Sequence, residues 1–277
     1  MINNQFIDCL KLIDGITIHT GDAIGADYCH DECPGVAGTP DEYPGGNFAP
    51  EAVVEAKSAE EVAAVLKLCS ENDVPVTVRG AGTGQVGGSV PVKGGVVLSV
   101  KGMDKILGYN EEERTLRVQP GVLLQDVKAE AEKHGLYYPP DPGEKTATIG
   151  GNAATDAGGP CAVKYGSTKD YVLDAVIVLA DGSITTLAGN EAVIGSEGTL
   201  AVICELTLKL VDKPKADAIL LLPFMDTESC IKAAATVIGT GCAPAVVEYM
   251  DTDMVEFSGN VTGNPVFPVE MDGERVA

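Results

Sequence analysis

The sequence predicts an α+β fold, and three observations predict it. Helical and strand periodicities alternate along the chain, two glycine-dense runs interrupt them at 78–89 and 139–159, and the pattern restarts after Lys213-Pro214-Lys215. A length of 277 residues with 45% hydrophobic content gives a globular chain of one large domain or two ordinary ones.

The elements follow in order. Ser58-Ala59-Glu60-Glu61 has the form of a capping box, and Val62, Val65, Leu66 and Cys69 then share one helical face, which predicts a helix from Ala59 to Asn72. Val74 to Val78 reads as a short β-branched strand that runs straight into Arg79-Gly80. Gly95 to Val100 reads as a buried strand, and Ile106 to Asn110 with Thr115 to Gln119 as a hairpin around Glu111 to Arg114. Pro120-Gly121 is expected to open a helix with Val122, Leu123, Val127 and Ala131 as its apolar stripe and Gly135 as its stop. Strand signals return at Val172 to Leu179 and at Leu200 to Leu210.

Beyond residue 213 a strand is expected at Ala218 to Leu222, then a helix over Ile231 to Ile238 with Thr227 as its cap, and a strand at Ala245 to Met250. This reads as the beginning of a second domain. The stretch from Ser258 to Pro265 is loop-like in composition.

A formal charge of −22, from 41 acidic against 19 basic residues, repels nucleic acid and anionic lipid, so neither is an expected partner. The start Met1-Ile2-Asn3-Asn4 lacks the basic and apolar regions of a secretory leader, and eight cysteines are then expected as reduced thiols in a cytoplasm. No apolar run has the length of a membrane span. Cys29-His30 with Cys33 has some metal-ligand character, but no second pair stands at zinc spacing, and no metal is expected.

Glycine lets the backbone turn tightly and approach a ligand, so a row of main-chain N–H groups can hold phosphate oxygens without cationic side chains. Gly80-Ala81-Gly82-Thr83-Gly84 suits that role, yet it is neither a Rossmann fingerprint, since no helix starts within Gln85 to Pro91, nor a Walker loop, since no Gly-Lys-Ser/Thr ends it.

An ordered series carries a family resemblance. Pro75 to Thr83 with Gly87-Gly88-Ser89-Val90-Pro91, Pro139 to Gly143, Thr148-Ile149-Gly150-Gly151-Asn152, Ala157-Gly158-Gly159, Tyr165-Gly166 and Gly195-Ser196-Glu197-Gly198-Thr199-Leu200 resemble the FAD-binding domain of the vanillyl-alcohol oxidase/PCMH family. The branch it resembles is the FAD-linked 2-hydroxyacid oxidoreductases, the group of the D-lactate dehydrogenases and glycolate oxidases. The resemblance implies a two-lobed FAD-binding domain over residues 27–213, after an N-terminal segment 1–26, and the start of an α/β substrate cap over 214–277.

It also implies cofactor-binding positions. Gly80, Ala81, Gly82, Thr83 and Gly84 would wrap the pyrophosphate, beside Arg79, with Ser89 adding a hydroxyl. Pro140, Asp141, Thr148, Gly151, Asn152 and Ala154 would line the dinucleotide. Gly158, Gly159, Tyr165 and Gly166 would approach the flavin, and Glu197, Gly198, Val202 and Ile203 would close the adenosine or ribityl end. Relatives that bind flavin covalently use a histidine in the first loop, where this chain has Thr83, so the resemblance implies non-covalent FAD.

The implied reaction removes a hydride from C2 of a small D-2-hydroxy acid, D-lactate or glycolate, and hands electrons to a partner such as an electron-transfer flavoprotein or an iron–sulfur subunit. Two alternatives stand beside it: a flavin-carrying electron-transfer subunit, and an enolpyruvyl-sugar reductase of the same superfamily. Two departures qualify the resemblance. Leu187 to Ala192 joins strand to motif abruptly, and most of the cap, with its histidine-rich metal motif, is absent, which makes a truncated chain the expectation. His134 reads as a cation at a helix end. His19 and His30 are candidate bases with no geometric support, and no catalytic residue is assigned.

Overall fold

The structure is a computed structural model that describes residues 2–32, 48–189, 192–263, 269–271 and 274–275. The first lobe contains α1 (Asn4–Leu10), β1 (Thr17–Thr20), β2 (Ala52–Glu55), α2 (Ala59–Glu71), β3 (Val76–Arg79) and β4 (Val96–Ser99). Its strands lie in the order β1-β2-β4-β3, with β2, β4 and β3 mutually parallel and β1 antiparallel at the edge. The central strands Ala52-Val53-Val54 and Val96-Val97-Leu98 are apolar without alternation because both faces are covered.

α2 starts where Ser58 Oγ accepts the Glu61 N–H at 3.2 Å, as the capping box predicts. The reciprocal half differs: the Glu61 carboxylate accepts the Lys57 N–H at 2.7 Å, one residue upstream of the cap. Val62, Val65, Leu66 and Cys69 turn inward together, and Phe6 and Leu10 of α1 join their core. Residues before 27 thus supply both an edge strand and core side chains to this lobe.

The second lobe contains β5 (Ile106–Asn110), β6 (Thr115–Val118), α3 (Leu124–Lys133), β7 (Leu136–Tyr137), α4 (Ile149–Thr155), α5 (Ala162–Tyr165), β8 (Val172–Val178), β9 (Ile184–Ala188), β10 (Val202–Lys209) and β11 (Val211–Asp212). Five of the strands make an antiparallel sheet in the order β5-β6-β10-β8-β9, packed on α3 and α4. Val178, Val202 and Cys204 reach from β8 and β10 into the first lobe's core, so β10 begins at the junction of the two lobes.

Several expectations are corrected. The helix does not open at Pro120-Gly121: a Cβ on Gly121 would stand 2.6–2.7 Å from the carbonyl oxygens of Val100, Lys101 and Met103, so this residue is a crossing point of two chain segments. α3 begins after Leu123, and Gly135 ends it at φ +70°. The second glycine run is not all loop, because Thr148 caps α4 and turns Ile149–Thr155 into helix.

In the tail, α6 (Thr227–Gly239) is capped by Asp226, whose carboxylate accepts the Ser229 N–H at 2.7 Å, rather than by Thr227. The expected strands at 218–222 and 245–250 do not form. A strand needs a neighbour for its backbone groups, and among the described residues none lies alongside; Ile219 is 96% exposed. Ser258 to Thr262 belong to α7 (Thr252–Thr262), started by Asp251 and stopped by Gly263 at φ +67°. Pro265 lies outside the described residues. Among the described residues no helix is long and apolar enough to cross a membrane.

Candidate functional site

A cavity of about 230 Å³ opens between the lobes. One wall is the loop from Gly80 to Ser89 that leaves β3, the second is Thr148 with one face of α4, and the third is Glu197-Gly198 with Ala201 and Ile203 at the entry to β10. Gly82 at φ +80° and Gly87 at φ +81° turn the first wall. The first two walls meet at Gly80, where a Cβ would stand 2.1 Å from Thr148 Oγ1, the atom that accepts the Gly151 N–H at 3.3 Å and caps α4.

The third wall is clamped to α4 through its backbone. Gly195 N–H donates to Ala153 O at 3.0 Å and Glu197 N–H to Ala154 O at 2.7 Å. In that clamp Glu197 holds a left-handed backbone at φ +53°, a conformation that costs a non-glycine residue on the order of 1 kcal/mol and tends to persist at functional sites.

Among the described residues no lysine, arginine or histidine lines the cavity, and the charged residues that do are Glu144 and Glu197. A phosphate there would rest on main-chain N–H groups and the Thr83, Ser89 and Thr148 hydroxyls. Asn152 is 5% exposed, lines the cavity, and its Nδ2 has no hydrogen-bond partner among the described residues. A buried donor without a partner costs roughly 1–3 kcal/mol, so this wall is built to meet an acceptor. The donor set and the glycine cradle fit a dinucleotide cofactor.

Of the positions implied by resemblance, the cavity brings together Gly80, Ala81, Gly82, Thr83, Gly84, Ser89, Thr148, Gly151, Asn152, Ala154, Glu197, Gly198 and Ile203. The others lie outside its lining. The Arg79 guanidinium is engaged by protein carbonyls, His30 O at 2.9 Å, Ser89 O at 3.2 Å and Asp27 O at 2.8 Å, and burial lowers its pKa against the raising influence of Asp27 and Asp31. Pro140 is buried, and Asp141 bonds Lys128 at 2.7 Å and also Lys145. Gly159 backs onto Asp141 and Pro142 and Gly158 faces Ala162, while the Tyr165 carbonyl accepts the Tyr171 hydroxyl at 2.9 Å and Gly166 turns at φ +79° against Asp170. Val202 points into the first lobe's core.

Sequence reasoning missed Val86, Gly88, Pro142, Glu144, Ala147, Gly150, Thr155, Val193 and Ala201, which also line the cavity. A helical period through Thr148, Asn152 and Thr155 was the available signal for Thr155. None of the histidines lines the cavity. His19 Nε2 lies 3.5 Å from Glu55, His30 Nδ1 lies 3.0 Å from Asp31 O, and His134 closes α3, stacked on Tyr109 at 3.7 Å. Cys33 lies outside the described residues, as do Asn190 and Glu191 of the abrupt join; among the described residues no group of His, Cys, Asp or Glu is placed to hold a metal.

Acid should loosen this region. Burial pushes the Asp141 carboxyl up, but hydrogen bonds and charge from Lys128 and Lys145 outweigh it and hold it below the ordinary value; Asp156 is likewise depressed, where Lys169 and Ser167 outweigh burial. A depressed folded-state pKa contributes stability that is present above the unfolded value of about 3.9 and is lost as pH falls through the folded one. The Tm is therefore expected to drop below about pH 4, and Asp141→Asn to flatten that drop. An unchanged acid limb in the variant would assign the loss to other groups.

A family model described as "FAD binding domain" matches residues 50–188, and one described as "FAD linked oxidases, C-terminal domain" matches residues 213–274. The chain belongs to this FAD-binding family. D-lactate dehydrogenase of Anaerostipes hadrus is 43% identical to this FAD-binding family member over 286 residues, covering 99% of this chain and 58% of that protein. Glycolate oxidase subunit GlcD of Bacillus subtilis is 36% identical over 252 residues, covering 84% and 54%. The chain thus spans about half the length of the curated relatives it matches. A solved alkyldihydroxyacetonephosphate synthase superposes with a TM-score of 0.77 at 22% identity, covering 93% of this chain and 50% of that one, a likeness of fold alone.

Proposed function

We propose that the chain holds FAD non-covalently in the inter-lobe cavity and takes part in oxidising a small D-2-hydroxy acid, D-lactate or glycolate, to the 2-oxo acid. The observation that carries this reading is the cavity's cation-free wall of glycine amides with Asn152 Nδ2, which has no partner among the described residues, in a chain of an FAD-binding family. The relatives named D-lactate dehydrogenase and glycolate oxidase subunit GlcD supply the substrate class. Bound FAD would supply the two-electron acceptor for the hydride leaving C2.

In this reading the N–H groups of Gly80 to Gly84 hold the pyrophosphate, and Thr148, Gly151, Asn152 and Ala154 face the dinucleotide across the cavity. Glu197, Gly198 and Ile203 close its third side. Residues 27–213 form the FAD-binding domain and 214–277 the opening part of the cap. Electrons would leave through a protein partner, an electron-transfer flavoprotein or an iron–sulfur subunit; a relative named as a subunit supports a multichain setting. The described cysteines, all free, suit a reducing cytoplasm.

Anaerobic mixing with D-lactate or glycolate is expected to bleach the bound flavin within the mixing experiment, and silence towards a panel of D-2-hydroxy acids would overturn the substrate assignment. Acid precipitation is expected to leave a yellow supernatant over a colourless pellet, because Thr83 offers no ring nitrogen for attachment. A yellow pellet would refute non-covalent binding.

A further inference from the structure

We propose that Asp31 and Arg79 are positioning residues that set the loop from Gly80 to Ser89 in its cofactor-holding shape before the cofactor arrives; this rests on the reading that the loop holds FAD. Both side chains are buried, at 4% and 5% exposure, and neither lines the cavity. They act from behind the loop.

The ties run along its whole length. Asp31 Oδ2 accepts the Gly87 N–H at 2.7 Å, and Glu32 N–H donates to Gly84 O at 2.9 Å, so the segment 31–32 is laid along the loop's outer side. Arg79 Nη1 donates to Ser89 O and to His30 O, and Nη2 donates to Asp27 O, so one guanidinium ties the loop's entry and exit to the segment 27–30. Gly82 backs directly onto that guanidinium: a Cβ there would stand 2.1 Å from Arg79 Nη2.

A loop this rich in glycine has more conformational freedom to lose on folding than any other composition, and ordering it at the moment of binding would weaken affinity. A hydrogen bond to a buried carboxylate is among the stronger ones available to an N–H group. Anchoring Gly87 to Asp31, with Gly82 stacked against Arg79, removes that freedom in advance and leaves the cavity-lining residues Gly80 to Gly84 for the cofactor.

The test uses the full chain stripped of flavin and titrated with FAD by flavin fluorescence. Asp31→Ala is expected to raise Kd at least about tenfold, and Asp31→Asn, which keeps an acceptor oxygen for Gly87, to recover most of that loss. Rescue by the asparagine separates positioning of the loop from a general loss of stability. A Kd for Asp31→Ala within about twofold of wild type, or one that rises equally in both variants, would overturn the proposal. Hydrogen exchange on the flavin-free wild type gives a readout that does not depend on the variants folding: the Gly87 amide is expected to be protected, and exchange at the unstructured rate would overturn the proposal. A wild-type chain that binds no FAD while Gly87 is protected would instead overturn the FAD reading beneath it.

Discussion

Gly159→Ala is expected to destabilise the chain by roughly 3 kcal/mol and to lower its Tm by about 6–10 °C. Gly159 has φ +105°, and a Cβ built on it would stand 1.9 Å from the Asp141 carbonyl oxygen, 2.5 Å from its carbonyl carbon and 2.9 Å from Pro142 Cα. These neighbours are backbone atoms within a Pro139-Pro140-Asp141-Pro142 run whose dihedrals are stiff, so neither segment can yield by turning a side chain. Pro142 lines the cavity, and the same displacement is expected to weaken FAD binding. Gly143→Ala is the matched control. Its φ is +75° but nothing lies within 4 Å of the added Cβ, so only the left-handed backbone cost of about 1 kcal/mol applies. Thermal melts of the two variants within about 2 °C of each other would show that the segments around 141 and 159 part freely, contrary to this account of the crossing.

What was legible in the sequence is what local chemistry decides. The face of α2 and its Ser58 cap follow from spacing alone, and the strand entering Arg79-Gly80 follows from a β-branched run ending in glycine. The glycine positions of the first loop were readable because Gly82 and Gly87 adopt the left-handed backbone that other residues resist. What was not legible depends on partners distant in the chain. Gly121 cannot announce that three carbonyls from 100–103 crowd it, and so α3 starts later than its apolar stripe suggests. α4 carries adjacent glycines that argue against a helix, yet Gly150 must lack a side chain because Pro120 stands 2.4 Å from where its Cβ would be. Ile219 to Leu222 have strand character without a neighbouring strand among the described residues, and character alone does not make a sheet. Arg79 stood in the right motif, but only the fold shows its charge directed behind the loop rather than towards the cavity.

Asn152→Ala is expected to move two measurements in opposite directions. In the flavin-free chain the side chain is a liability, since its buried Nδ2 has no partner among the described residues and asparagine is a poorer helix former than alanine within α4. Its removal opens onto the cavity rather than sealing a void, so the flavin-free Tm is expected to hold or rise by a few degrees. With the cofactor present the sign reverses. The acceptor that Nδ2 would meet is left buried and unpaired, at a cost of roughly 1–3 kcal/mol, and the Kd for FAD is expected to rise about 5- to 150-fold. Asn152→Asp separates donation from shape: it keeps the outline, loses the donor and places a negative charge in a cavity that takes an anionic dinucleotide, so it is expected to bind FAD more weakly than the alanine variant. A structural asparagine would behave otherwise, with Asn152→Ala lowering the flavin-free Tm and leaving Kd unchanged. That pattern in paired thermal melts and fluorescence titrations would remove Asn152 from the cofactor wall and, with it, the strongest side-chain argument for a dinucleotide in this cavity.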